Sequence, residues 1–145
     1  MKDIFEDQFV DLQSEFISLC LDFAGQKVNK VYVYCSIEEK SKMFNAFFEI
    51  GGEIRTANQL GVSMSEVSQF LRTGTLDLRR FQELCESHHV STPTEIKMCY
   101  DVSTGKYDAD YKYDVVCSAK TGISAGEVFM NWLTEIKNSL MVNPL

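Results

Sequence analysis

Four stretches of this sequence alternate apolar and polar residues with a period of two, and this alternation constrains the possible fold more than any other feature. The stretches are residues 30–36, 43–50, 95–101 and 106–115. Such alternation is typical of a β-strand with one buried and one wet face. Short polar or glycine-containing connections join the first stretch to the second and the third to the fourth. The pattern therefore predicts two β-hairpins.

Helical periodicity occupies the segments around the hairpins. Residues 3–24 place phenylalanine or leucine at alternating spacings of four and three, which predicts a long amphipathic helix. In the middle of the chain, Ser63 and Glu66 form a capping-box pattern that predicts the start of a short helix. Gly74 is expected to end that helix, and a second short helix is expected after it. A further capping box near residue 124 predicts the start of a C-terminal amphipathic helix.

The order helix, hairpin, central helices, hairpin, helix predicts a single α+β domain over residues 1–145. Its antiparallel sheet of about four strands should carry the N-terminal and C-terminal amphipathic helices and the short central helices on one side. A sheet covered on one side leaves its other face open to solvent or to a partner. With 145 residues and a hydrophobic content of 45%, the chain can build a core without disulfides or a metal.

The charge of the chain indicates which partners it can attract. It carries 21 Asp and Glu against 14 Lys and Arg, which gives a formal net charge of −7. Such a field repels nucleic acid and anionic membranes and attracts a basic partner. No apolar run approaches the roughly 20 residues needed to span a bilayer, and the acidic N-terminus lacks the pattern of a secretory signal. We therefore expect a cytoplasmic protein that binds no membrane, and its charge disfavours nucleic acid as a partner.

Cysteine usage agrees with a reducing compartment. The five cysteines are odd in number and widely spaced, and each lies in or beside an apolar stretch: Cys20, Cys35, Cys85, Cys99 and Cys117. Cysteines in such positions usually act as small buried hydrophobic residues. We expect all five to be reduced and mostly buried.

Two small groups of residues have chemistry-bearing side chains, and neither completes a known pattern. Cys85, His88 and His89 offer half of a zinc site, but the sequence has no second ligand pair. The same residues would form a cysteine–histidine nucleophile pair, which no other feature supports. Asp108 and Asp110 point to the same side of a strand, either as acid–base carboxylates or as a solvated acidic face. We therefore predict no enzymatic activity, no metal and no cofactor.

Residues 55–72 resemble a helix-turn-helix, the motif that places a recognition helix in the major groove of DNA. Gly61 stands where the turn should be, and Val67 lies inside the second helix. Arg72 is the only basic residue of the recognition helix, whereas DNA-binding proteins normally neutralise several phosphates. A helix-turn-helix DNA-binding regulator is therefore the alternative function, and two amphipathic helices joined by a glycine turn are the alternative structure.

The order of these features along residues 5–137 resembles the YezG/EsaG-like immunity (antitoxin) protein family. The resemblance begins with the long N-terminal amphipathic helix. It continues through two paired strands, a helical middle, two further strands and an aromatic-rich tail. The segments that carry it are Lys30–Tyr34, Phe44–Phe48, Pro93–Lys97, Lys106–Tyr113 and the surroundings of Phe129 and Trp132.

The resemblance implies a protein that binds and neutralises a cognate bacterial toxin, a nuclease in many cases, and so protects the producing cell. The charge of the chain is compatible with such a partner, because nucleases that bind phosphates tend to be basic. On this interpretation an acidic surface occludes the toxin, and aromatic side chains supply anchoring contacts.

The open sheet face is the partner-binding surface that we predict. It should combine aromatic side chains from the first hairpin with carboxylates from the last strand. The predicted partner-binding residues are Tyr32, Tyr34, Phe47, Glu49, Asp108, Asp110 and Asp114.

Overall fold

The computed structural model of the chain describes residues 4–25, 27–38, 41–114, 116 and 121–142. Within these residues the protein has three α-helices, five β-strands and one turn of 3-10 helix. In chain order they are α1 (Ile4–Ala24), β1 (Lys30–Glu38), β2 (Ser41–Ile50), β3 (Glu53–Thr56), the 3-10 turn (Ala57–Gln59), α2 (Met64–Ser87), β4 (Glu95–Asp101), β5 (Tyr107–Lys112) and α3 (Ala125–Val142). No helix in the described residues is long and apolar enough to cross a membrane.

The five strands form one antiparallel sheet in the order β3-β2-β1-β4-β5. The α+β class and the two hairpins, β1–β2 and β4–β5, are thereby confirmed. The hairpins are joined side by side, because β1 also pairs with β4, with Val33 opposite Met98. This pairing makes β1 the central strand and leaves β3 and β5 at the two edges of the sheet.

One face of the sheet packs against α1 and α2 and forms the larger core. Phe16 and Cys20 of α1 are fully buried there, as are Leu78 and Phe81 of α2. Strands β1, β2 and β4 each contribute every second residue to this core: Val31, Val33, Cys35, Phe44, Ala46, Phe48, Ile96 and Met98. The period-two alternation in the sequence therefore identifies this face correctly.

The central helix differs from the prediction of two short helices separated by Gly74. Helix α2 runs without interruption through 24 residues. Its start is as predicted, because the Ser63 hydroxyl accepts a hydrogen bond of 3.1 Å from the Glu66 backbone N–H. Gly74 is buried in the middle of the helix, where a Cβ atom would overlap the ring of Phe44. The glycine is therefore explained by close approach of helix and sheet rather than by a break in the helix.

A fifth strand replaces the first helix of the predicted helix-turn-helix. Gly51 and Gly52 both have positive φ, 59° and 84°, which is the conformation that a two-residue hairpin turn requires. This turn folds β3 back onto β2, with Arg55 opposite Phe48. A helix-turn-helix needs a helix ahead of its turn, and residues 53–59 form a strand and one 3-10 turn instead. The helix-turn-helix interpretation of residues 55–72 is therefore wrong.

We expected all helices on one side of the sheet, and for the C-terminal helix this expectation is wrong. Phe129, Trp132 and Leu133 of α3 pack on the opposite face of the sheet. They form a second core with Tyr32 and Phe47, whose stacked rings lie 4.6 Å apart. The large aromatic residues on both faces of β1 and β2 are the physical reason, because a one-sided sheet would leave these rings in water.

Candidate functional site

The three aromatic residues of the predicted binding surface lie beneath α3. Tyr32 is 5% exposed, and Tyr34 and Phe47 are 0% exposed. The Trp132 ring packs edge-on against Phe47, with ring centroids 4.9 Å apart. The face that we expected to be open is thus covered along β1 and β2, and these aromatic residues stabilise the fold instead of contacting a partner.

A buried carboxylate lies beside this second core. Glu95 is 1% exposed and accepts a hydrogen bond of 2.9 Å from the Tyr34 hydroxyl. The ammonium groups of Lys97 and Lys112 lie 3.9 Å and 3.7 Å from its other oxygen. A buried carboxylate needs such partners, because burial without them would cost several kcal/mol. These contacts join the start of β4 to Tyr34 of β1 and Lys112 of β5.

The acidic members of the predicted surface remain accessible. Asp108 and Asp110 are exposed on β5, and Asp114 is exposed just beyond it. Asp108 lies opposite Cys99, and Cys99 lies opposite Tyr32, so the three residues share one face of the sheet. On that face α3 packs over β1 to β3 and not over β5. Glu49 is half-buried on β2. Strands β1 and β4 separate it from β5, so the structure does not bring it together with the three aspartates.

Lysines interleave with these aspartates. The Lys106 ammonium lies 3.9 Å from an Asp108 carboxylate oxygen, with both side chains more than 70% exposed, at 73% and 72%. An exposed pair of this kind contributes little to stability. The polar face of β5 therefore mixes both signs of charge, and a more uniformly acidic surface lies elsewhere.

Helix α1 carries that surface. Its 21 residues include no lysine, arginine or histidine. All five of its carboxylates are exposed: Glu6, Asp7, Asp11, Glu15 and Asp22. Only Glu15 has an ion pair among the described residues, at 2.9 Å from Arg80. The outer side of α1 is therefore uniformly negative, and its field attracts basic groups.

An apolar groove lies between α1 and β5, beside this negative surface. It has a volume of about 510 Å³. Helix α1 lines it with Val10, Ile17 and Leu21, and the sheet lines it with Tyr100, Tyr107 and Tyr111. Val10 is 58% exposed, which leaves an apolar side chain in water at the rim of the groove. A concave apolar surface of this size is typical of a binding site.

A single amide supplies the polar contacts inside the groove. The Gln13 side chain is 5% exposed, and its Oε1 accepts hydrogen bonds from the Tyr107 and Tyr111 hydroxyls. Its Nε2 donates to the Phe9 carbonyl at 3.4 Å. Burial raises the pKa of both tyrosines, and the hydrogen bond to Gln13 partly opposes this for Tyr111. Both hydroxyls therefore stay protonated and fix the two rings as walls of the groove.

The described residues include no metal site, and the Cys85 thiol is not activated. No group of three or more His, Cys, Asp or Glu side chains in the described residues is placed to hold a metal ion. Burial raises the pKa of the Cys85 thiol, which is the opposite of what a nucleophilic cysteine requires. The His88 ring packs against Phe5 instead, with centroids 5.2 Å apart.

Four cysteines lie within the described residues, and all four are free thiols. Cys20, Cys35 and Cys85 are buried and Cys99 is half-buried, as predicted. Cys117 lies outside the described residues.

Comparison with known proteins gives no family for this chain. No family model matches it, and no curated protein matches it either. The resemblance to immunity proteins therefore stays a prediction from the order of sequence features.

The sequence analysis did not predict the groove, although the residues on both sides of it follow recognisable sequence patterns. The alternation of residues 106–115 predicts that Tyr107 and Tyr111 share one face. The acidic, base-free sequence of α1 is equally visible. What the sequence does not contain is the order of the strands, which brings β5 to the sheet edge beneath α1.

Proposed function

We propose that this chain is an immunity protein that captures and neutralises a basic bacterial toxin, a nuclease, in the cell that produces both. The observation that carries the proposal is the apolar groove between α1 and β5, which is flanked by the base-free surface of α1. Such a surface offers a basic partner both an anchoring site and an attractive field.

The electrostatic part of this proposal rests on numbers of charges rather than on single ion pairs. The five exposed carboxylates of α1 give the negative charge a local maximum beside the groove. They raise the rate at which a basic partner reaches this surface, and most of that effect acts before contact. A nuclease must bind phosphates, so its active face carries the positive charge that this field attracts. Occlusion of that face would inhibit the enzyme without any chemistry in the inhibitor.

The experiment is a protection assay with the toxin domain encoded next to the gene of this chain. Cells that express the toxin domain should survive only when this chain is co-expressed, and the purified pair should co-elute as a complex without nuclease activity. Absence of an adjacent toxin gene, or toxin activity that is unchanged by an excess of this chain, would contradict the proposal.

Two charge-reversal variants locate the site within the same assay. Asp11→Lys with Asp110→Lys alters one exposed carboxylate on α1 and one on β5. Glu83→Lys with Glu135→Lys changes the net charge equally at exposed positions of α2 and α3. Both variants should fold, because exposed charges contribute little to stability. Only the first should lose protection.

A further inference from the structure

Strand β5 is an edge strand, and its hydrogen-bonding groups follow a regular pattern. Among the described residues, β4 is the only strand that pairs with it. The Lys106 carbonyl accepts a bond of 2.9 Å from the Asp101 N–H, and the Lys112 carbonyl accepts one of 2.7 Å from the Thr94 N–H. Both carbonyls therefore point toward β4.

The odd-numbered residues between them point the other way. In an antiparallel pair, successive residues direct their backbone groups alternately toward and away from the partner strand. Since Lys106 and Lys112 face β4, the N–H and C=O groups of Tyr107, Ala109 and Tyr111 face outward. An edge of this kind is a template for another strand.

The two sides of β5 have different chemistry. On the side of α1, Tyr107 and Tyr111 line the apolar groove and are 39% and 36% exposed. On the opposite side, Asp108 and Asp110 are exposed at the centre of the strand, with Lys106 and Lys112 at its two ends. A strand added to the edge would alternate its side chains between these two environments, because neighbouring residues of a strand point to opposite faces.

We propose that β5 accepts an extended segment of a basic partner protein as a sixth, antiparallel strand. Alternate residues of that segment are apolar and enter the groove beside Tyr107 and Tyr111. The residues between them are lysine or arginine and face Asp108 and Asp110. The choice of a basic partner rests on the proposed function, whereas the strand addition rests on the edge and the groove.

Charge favours this occupant over a second copy of the chain. Two copies paired through β5 would bring their own Asp108 and Asp110 side chains together, and each copy carries a net charge of −7. A small apolar molecule would fill the groove without using the outward N–H and C=O groups. Both of these occupants are therefore outcomes that the test must separate.

The test uses the intact protein and a synthetic peptide, acetyl-Lys-Val-Lys-Leu-Lys-Val-Lys-amide, in two N-methylated forms. In an antiparallel addition, the peptide residues that share a face with Tyr107 and Tyr111 are those that hydrogen-bond to β5. N-methylation of the valines and leucine should therefore weaken binding by at least about tenfold, since each backbone hydrogen bond contributes about 1 kcal/mol. N-methylation of the internal lysines should leave binding unchanged.

Binding is followed by the backbone amide signals of Tyr107, Ala109 and Tyr111 during an NMR titration at low salt. The Ala109→Pro variant removes one outward N–H without removing a bond to β4, and proline is tolerated at such edge positions. It should lose the titration response at Tyr107 and Tyr111, whereas Ala109→Thr, which keeps the N–H, should retain it. If Ala109→Pro does not fold, the two N-methylated peptides on the parent protein still decide the question.

Equal binding of the two N-methylated peptides would overturn the proposal, and would mean that the groove binds side chains alone. Self-association of the parent protein that Ala109→Pro abolishes would overturn it in favour of a second copy. The proposed function is judged separately. If the toxin domain is captured equally by Ala109→Pro and the parent, strand addition fails and immunity stands. If the peptides behave as expected but no toxin is neutralised, immunity fails and strand addition stands.

Discussion

Replacing Gly74 by alanine should destabilise this protein, although the same change in an ordinary helix is stabilising. A Cβ atom at Gly74 would overlap three atoms of the Phe44 ring. That ring is 3% exposed and cannot move aside easily, because it lies 5.8 Å from the Phe16 ring and 5.3 Å from the Phe70 ring. Overpacking of this kind costs about 1–3 kcal/mol. Since the overlap is severe, we take the upper end of that range.

Helix propensity opposes this cost but is smaller. Alanine favours a helix over glycine by about 1 kcal/mol, so Gly74→Ala should lower the free energy of unfolding by about 2 kcal/mol. Gly126→Ala in α3 is the matched control. Its Cβ would meet nothing nearer than the Ser124 hydroxyl at 3.9 Å, so it should raise stability by up to about 1 kcal/mol.

Urea denaturation followed by circular dichroism gives both changes as shifts of the midpoint at constant slope. Adding Phe44→Leu to Gly74→Ala should recover part of the loss, because the smaller side chain leaves room for the methyl group. The reasoning would be refuted if Gly74→Ala stabilised the protein as Gly126→Ala does, since the glycine would then be no more than a weak point of the helix.

Three further predictions concern the rest of the fold. Trp132→Ala should lower the free energy of unfolding, measured by urea denaturation, by about 3–5 kcal/mol because it leaves a cavity in the core beneath α3. Met130→Ala, at a 49% exposed position of the same helix, should change it by less than about 0.5 kcal/mol. Burial raises the pKa of the Asp77 carboxyl, and the Arg80 hydrogen bond only partly offsets this. At a pH above the pKa of Asp77 in the folded protein, the charged carboxylate therefore opposes folding. Asp77→Asn should raise the melting temperature at neutral pH, and the gain should shrink as the pH falls toward the unfolded value of about 3.9. Native alkylation with peptide mapping should modify Cys99 before the three buried thiols, Cys20, Cys35 and Cys85.

The sequence predicts individual elements well where one periodicity dominates. The helix ending at Ala24, both hairpins and the Ser63 cap all depend on contacts between residues near in the chain, and such contacts leave local patterns. Gly74 shows the limit of this reasoning. A glycine that ends a helix and a glycine that lets a helix approach a sheet look alike in the sequence, and only the Phe44 ring distinguishes them.

The candidate site was harder to predict than the fold, for a topological reason. Tyr32 and Phe47 alternate along their strands with residues of the first core, as the sequence predicts. This alternation shows which residues share a face of the sheet, but it does not show which helix covers that face. Trp132 covers them because α3 crosses to the far side of the sheet. The groove depends likewise on the pairing of β1 with β4, which places β5 at the edge. Pairing between strands that are distant in the chain leaves no local signal.

The central claim is that the apolar groove between α1 and β5, together with the acidic surface of α1 beside it, captures a basic partner. The association rate with the adjacent toxin domain tests it most directly. The rate should be measured by stopped-flow between about 0.01 M and about 0.15 M salt, where the screening length falls from roughly 30 to 8 Å. The parent and Glu83→Lys with Glu135→Lys should associate fast at low salt and more slowly at high salt. Asp11→Lys with Asp110→Lys should associate slowly at both, with a weaker salt dependence. Equal rates and equal salt dependence for the two variants would contradict the account.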